Sequence, residues 1–438
     1  MRILQVSPTD VRGGAEAVAL SLHRGLRARG HDAWLAVGRT CAETDGVLRM
    51  RNGTDAWSSA WWRLHDRAED GGRWRAARLA RVPAEPGTAL DWVRGHEDFR
   101  FPGTRRLLEL PPQRPELLHV HNLHGGYFDL TALPGLAAAV PTVATLHDAW
   151  LFTGHCAQPR DCDGWLRGCG GCPYLDVYPA IRRDGTAFNF ARKRALWERT
   201  RLHVVAPSRW LADLVPRSSL APAAIDVAVI PNGVDLARFA PGDRDAARRT
   251  LGLATDAQVL VHLGAGLRRS PWKDWPTLRS ALGRLASEDG PPLVLFALGD
   301  DAPEERFGRA RVVTRTVAPD VVPAYLAAAD AYVHPARADT YPGGVVEALA
   351  VGVPVVATRT GGIPEQVAAL GEDSEPTGIL VPERDPAALA EALSTLLGDR
   401  GLRGRLAAAA RAKRGELDLD RQLDAYEALY ERVSAAAR

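Results

Sequence analysis

Short apolar runs that break into glycine-bearing turns and then into helical stretches recur along most of this chain, and that alternation constrains its fold more than any other feature. Arg2-Ile-Leu-Gln-Val6 reads as a buried strand that leads into Gly13-Gly14 and a helix from about Glu16 to Arg29, with Ala33 to Val37 as the next strand. Strands alternating with helices predict βαβ units around a parallel sheet. The rhythm breaks over residues 56–110, a stretch dense in Arg and Trp, and resumes at Leu117–His121, Thr142–Leu146 and His203–Ala206. A second set starts at Val227–Ile230 and continues through Gln258–His262, Pro292–Ala297 and Arg311–Thr314, with Pro216 to Pro222 as the hinge. The expectation is an α/β chain of two Rossmann-like parallel-sheet domains facing a cleft, with ligands at the carboxyl ends of the strands. The domains expected are 1–218, carrying the 56–110 helical insertion and a Cys-rich loop at 155–173, then 219–412, then a final helical segment at 413–438.

The chain has 438 residues, enough for two separate cores. A net charge of +2 argues against a nucleic-acid partner. No apolar run approaches the ~20 residues needed to span a bilayer. The first residues enter a strand at once, leaving no room for a signal peptide, so a cytoplasmic setting is expected. Lys occurs only at positions 193, 273 and 413, against a large excess of Arg.

The densest chemistry lies in Asp339-Thr-Tyr-Pro-Gly-Gly-Val-Val-Glu347. Ala331–His334 reads as a strand before it and Val345–Ala350 as a helix within it, so the Gly-Gly step falls where strand turns into helix. Free backbone N–H groups and the positive helix end then face the ligand, which makes an anion site suited to a diphosphate. Asp339 before the turn and Glu347 after it can bracket one ligand. The bland alternative is a tight βα turn with a surface Glu.

These residues resemble the donor-site signature of retaining family-four glycosyltransferases of the GT-B fold. Matches in the family's order include Gly13-Gly14-Ala15-Glu16, Thr145-Leu-His147-Asp148, Pro207-Ser208, Ile230-Pro-Asn-Gly-Val-Asp235, the Arg268…Lys273 segment and Thr360-Gly-Gly-Ile-Pro-Glu365. The resemblance implies that the second domain holds a nucleoside-diphosphate sugar, with UDP, common in the family, as the nucleotide expected, and that the first holds the acceptor. It implies that Arg268 and Lys273 neutralise the leaving diphosphate; the family's Gly before that Arg is Leu267 here, so Arg269 is a substitute, and solvated loop cations are the alternative. Gly343, Gly344 and Val345 would donate backbone N–H groups to the diphosphate. Glu347 would accept from ribose hydroxyls, and Asp339, where the family more often has Glu, would reach the donor sugar. His147 would contact that sugar near the reaction centre, and Gly13 and Gly14 would allow a phosphate or acceptor to approach closely. The family implies no enzymic nucleophile and no catalytic metal. The last helix, Leu417 to Ser434, would cross back to the first domain.

The function expected is therefore a retaining, metal-independent transfer of sugar to a hydroxyl of a sugar, lipid-linked or small-molecule acceptor, in polysaccharide, glycolipid or natural-product biosynthesis. The alternatives are a catalytically silent GT-B binding module and a GT-B sugar-nucleotide epimerase.

Three further clusters stand apart. Cys156, Cys162, Cys169 and Cys172, amid several glycines, have the spacing of a closed structural zinc site, with two disulfides or free thiols as alternatives. His119, His121 and His124 read as ordinary polar residues at a sheet edge rather than a metal triad. Trp57, Trp61, Trp62, Trp74 and Trp92, interleaved with Arg, either pack the insertion onto its own domain or form a peripheral membrane contact.

Overall fold

The computed structural model describes residues 1–11, 13–42, 44–159 and 161–436. The chain divides into two compact units, Met1–Ile230 with Leu423–Arg438, and Pro231–Gln422.

The first unit holds seven strands: β1 (Arg2–Thr9), β2 (Asp32–Arg39), β3 (Val47–Arg49), β4 (Leu117–Val120), β5 (Thr142–Thr145), β6 (Leu202–Ala206) and β7 (Ala224–Val229). They are ordered β3-β2-β1-β4-β5-β6-β7, and every pairing is parallel. Chain order reverses between β1 and β4, so that is the switch point where such a sheet opens a crevice. The expected start of the second sheet is corrected here. Val227–Val229 pair with Val204–Ala206 in the first sheet, and the boundary moves from the Pro216–Pro222 segment to residue 230.

The second unit is built from β8 (Gln258–Leu263), β9 (Leu293–Leu298), β10 (Glu305–Phe307), β11 (Ala310–Arg315), β12 (Ala331–His334), β13 (Val355–Thr358) and β14 (Gly378–Val381). Its order is β10-β11-β9-β8-β12-β13-β14, with only β10 antiparallel. The switch point lies between β8 and β12. Alternate residues of one strand feed different cores: Leu260, Leu295 and Val333 pack on one face, Val259, Val261, Phe296 and Tyr332 on the other. A sheet covered on both faces needs this continuous apolar run.

The Arg/Trp-rich insertion folds as α2 (Ala56–Asp70), α3 (Trp74–Ala84) and α4 (Gly87–Arg94), following α1 (Gly14–Ala28). Asp55 starts α2 through a reciprocal capping box with Ser58, and Gly95, in the left-handed region, ends α4. Trp62 is buried beside Phe101, whereas Trp57 and Trp74 are exposed. The Leu419–Ala436 helix returns its last residues to the first unit. There the Tyr430 hydroxyl meets His119 Nδ1 at 2.7 Å, and the Tyr426 hydroxyl meets Thr145 Oγ1 at 2.8 Å.

Candidate functional site

Each unit carries sequence-predicted residues on the loops after the strands at or next to its own switch point. In the second unit, the loop after β8 carries Arg268 and Lys273, and the loop after β12 carries Asp339 and the helix Gly343–Val351. Lys273 Nζ lies 2.7 Å from Asp339 Oδ2, and His334 Nε2 lies 3.2 Å from the same oxygen. Tyr332 steadies this histidine from behind, its hydroxyl 3.2 Å from His334 Nδ1. Burial alone would raise the Asp339 carboxyl; Lys273 and His334 overcome it and hold the group far below the usual carboxylate range. Gly361 supports the same loop: its φ is +56°, and a Cβ there would stand 1.8 Å from the Asp339 carbonyl oxygen.

The Gly343–Val351 helix begins at Pro342 with no side-chain cap, so its first amides point outward unclaimed by any side chain. Gly344 must be small, since a Cβ would meet the Tyr332 hydroxyl at 2.3 Å. Val345 departs from expectation, because its N–H already donates to the Pro342 carbonyl at 3.1 Å. Gly343 and Gly344 are then the open donors. Glu347 is half-buried, and burial, only partly offset by Arg238, pushes its carboxyl up to about 7.

Arg268 does not join the Lys273–Asp339 cluster. Its guanidinium pairs with Glu305 at 2.6 Å and lies over Trp275, and Glu305 also receives Arg279. The alternative, Arg269, is exposed. Glu305, on the antiparallel edge strand β10, had no sequence signal linking it to the site.

In the first unit, Gly13 has a φ of +98° and begins α1 without a side-chain cap. A Cβ on Gly13 would fall 2.4 Å from Glu16 Oε2. The first turn of α1 therefore already has a carboxylate at its positive end, an occupant that the glycines alone did not announce. Burial raises the Glu16 carboxyl, against hydrogen bonding to its own backbone and the pull of His124. His147 follows β5, and its Nε2 lies 3.0 Å from His121 Nδ1. Burial lowers His147 to about 4 despite Asp148, so the ring is neutral at pH 7. His124 Nε2 is 2.7 Å from Asp148 Oδ2, while His119 is held by Thr145 and Tyr430. Each of the three histidines has a polar partner on one ring nitrogen at least, while His121 Nε2 and His124 Nδ1 are buried without one.

The expected zinc site is not assembled. Among the described residues no group of three or more His, Cys, Asp or Glu converges to hold a metal, and the cysteines are free thiols. The sulphurs have separate partners. Gly154 N–H donates to Cys169 Sγ at 3.2 Å, Gly164 N–H to Cys162 Sγ at 3.4 Å, and Cys172 Sγ lies 3.4 Å from His155 Nε2. Burial pushes Cys156 up to about 12 and Cys169 to about 11, with the neighbouring cysteines adding to the shift.

Comparison with known proteins follows the same division. A family described as "Glycosyltransferase Family 4" matches residues 12–238, just over half of the chain, and "Glycosyl transferases group 1" matches residues 257–399. A protein of Escherichia coli K12, provisionally named as a colanic acid biosynthesis glycosyl transferase, is 31% identical over 56% of this chain and 60% of its own length. A D-inositol 3-phosphate glycosyltransferase of Geodermatophilus obscurus is 35% identical over 48% of this chain and 49% of its own. The chain thus spans between about half and 60% of the length of these curated relatives. Among solved structures, sucrose-phosphate synthase of Thermosynechococcus elongatus covers 99% of both chains at 18% identity, with a TM-score of 0.65. HepE of Anabaena, solved with UDP-glucose, covers 98% of this chain and 100% of its own at 18% identity, with a TM-score of 0.62. The fold is therefore shared with these two solved structures, and since one family description spans more than half of the chain, the chain belongs to glycosyltransferase family 4.

Proposed function

We propose that this chain transfers a sugar from a nucleoside-diphosphate sugar to an acceptor hydroxyl, with retention at the anomeric carbon and without a metal. The observation that carries the reading is the combination, at one switch point, of Lys273 on Asp339 with the uncapped Gly343–Gly344 helix end and Glu347. In the reaction the bond from anomeric carbon to phosphate oxygen breaks, and its electron pair leaves on the diphosphate. The acceptor oxygen bonds to the same face of that carbon, and its proton passes to the departing phosphate oxygen. Lys273 and the amides of Gly343 and Gly344 meet the charge that develops on the diphosphate, the kind of preorganised stabilisation that dominates such steps. Arg268 contributes once it leaves Glu305. Glu347, when ionised, accepts from ribose hydroxyls. Asp339 and His147, in their separate units, are assigned to the donor sugar.

HepE is recorded with UDP-glucose, which supports UDP as the nucleotide. Five free cysteines agree with a reducing, cytoplasmic setting. Among the described residues no helix is long and apolar enough to cross a membrane. Exposed Trp57, Trp74, Leu79, Leu90 and Val93 beside the Arg of α2–α4 support peripheral contact with an anionic membrane, tested by co-sedimentation with anionic vesicles. The deciding experiment for the function is nucleotide release from a panel of UDP, GDP, dTDP and ADP sugars, with and without sugar acceptors. Acceptor-dependent release that disappears in Lys273→Ala is expected. No release from any donor would leave a silent binding module, and donor turnover without acceptor would indicate an epimerase.

A further inference from the structure

The insertion does more than cover the first unit. Together with the loop after β4 and the 178–182 segment it lines a half-open cavity of about 410 Å³, a size suited to a small organic ligand. The cavity reaches His124, whose Nε2 is bonded to Asp148 and whose buried Nδ1 has no partner. It therefore borders the His147-Asp148 motif, and the insertion, the 123–128 loop and the 178–182 segment share its wall. Its apolar lining is aromatic, with Trp92, Phe99, Trp150 and Tyr178 among the contributors.

The charges around it do not balance. Arg81 is matched by Asp98 at 2.7 Å, and Glu97 is matched by Lys193 at 3.0 Å. That uses both carboxylates of the wall. Arg78 and Arg182 remain, and neither forms an ion pair or hydrogen bond among the described residues. The Arg78 guanidinium carbon lies over Trp92, 3.9 Å from the ring centre, and Arg78 and Arg182 both line the cavity, where their charges oppose each other. Both arginines are exposed, with Asp98, already paired to Arg81, as the opposite charge that Arg78 feels; two such arginines with no carboxylate of their own are an arrangement that an oxyanion completes. Two uncompensated positive charges match a phosphate monoester, which carries close to two negative charges at neutral pH, better than a carboxylate, which carries one.

We propose that this cavity binds a phosphate monoester on a ring-bearing ligand, with the phosphate between Arg78 and Arg182 and the ring against Trp92 and Trp150. Calling that ligand the acceptor rests on the glycosyl-transfer reading above; the anion site does not. It also separates the first unit's two switch-point features. The α1 end, already occupied by Glu16, repels an anion, and the insertion supplies the place for one.

The test is calorimetric titration of the full chain with phenyl phosphate, inorganic phosphate and phenol, repeated on Arg78→Gln, Arg182→Gln and the double variant. Each form is also titrated with UDP, and the parent with GDP, dTDP and ADP. Phenyl phosphate should saturate and bind more tightly than either fragment. The double variant should weaken it by about tenfold or more, the scale of losing charge-assisted bonds, with UDP affinity unchanged. Equal binding by parent and double variant, no saturation by the parent, or displacement of phenyl phosphate by UDP would each overturn the site. If UDP, GDP, dTDP and ADP all fail to bind the parent while phenyl phosphate binds through the arginines, the glycosyl-transfer reading falls and the anion site stands. Vesicles containing phosphatidic acid that compete with phenyl phosphate in the parent but not in the double variant would assign the phosphate to a lipid headgroup. Absence of competition, with phenyl phosphate still bound through the arginines, would assign it to a soluble ester.

Discussion

The two units share a strand plan and differ in what lies at the start of the helix beside the switch point. In the second, the Gly343–Val351 helix opens with bare amides, and the nearby carboxylate, Asp339, is tied to Lys273 and His334. In the first, α1 opens just as bare of caps, but Glu16 folds back onto it. One topology therefore yields an end that attracts an anion and an end that has supplied its own. Sheet order places a site; the side chain three residues into the helix sets the sign of what it accepts.

The largest effect should come from removing the cation of the second unit. Lys273→Ala is expected to lower sugar transfer by about a hundredfold or more, the usual scale for a lost stabiliser of developing charge, read from steady-state nucleotide release. A variant at the parent rate would show that the second unit's anion end works without its lysine.

Next in size is a change confined to the first unit. Tyr430→Phe strips the partner from His119 Nδ1, buried in the sheet, and should cost about 1–3 kcal/mol in denaturant unfolding. UDP affinity should not change, because that partnership lies wholly in the first unit.

A pH titration sharpens the comparison further. Glu347 accepts from ribose more strongly when ionised, and burial pushes its carboxyl up to about 7. UDP affinity should therefore rise by about tenfold between pH 6 and pH 8, and Glu347→Gln should flatten the profile. The empty protein has the opposite dependence. A carboxyl raised above its unfolded value of 4.5 gives its full stability below that value, and the contribution is lost as pH climbs through 7. UDP affinity independent of pH in the parent would remove Glu347 from the ribose.

The smallest effect expected is Glu16→Gln on UDP affinity, a change within about twofold, as for independent sites. A larger loss would place the nucleotide against α1 and erase the distinction between the two ends.

What could be read from the sequence was local. Asp339, Gly343, Gly344 and Glu347 lie within one strand–turn–helix, and the five-residue step from Arg268 to Lys273 spans one loop, so short-range pattern found them. Contacts over longer range were out of reach. Glu305 captures Arg268 from another strand, and the Arg78–Arg182 juxtaposition depends on how the insertion folds over the 178–182 segment. Strand β7 was recognised as a strand yet assigned to the wrong sheet, because an apolar run carries no label for its neighbour; only pairing with β6 decides it. The edge strands β3 and β10, three residues each, are too short for a period-two signal. The cysteine spacing suggested an ion, but the folded loop satisfies its sulphurs with backbone amides and a histidine.

The return of residues 423–436 to the first unit also sets an order of events during synthesis. Tyr426 and Tyr430 are fully buried and hydrogen-bonded to β4 and β5 residues, yet they leave the ribosome only after the whole of Pro231–Gln422 has been made. Amino-terminal domains usually close first as a chain emerges. Here the earlier unit must wait, with His119 Nδ1 lacking its tyrosine and the Thr145 hydroxyl bonded only to His119, until the later one has been translated. The second unit, continuous in sequence, has no such delay and can complete its core ahead of the first.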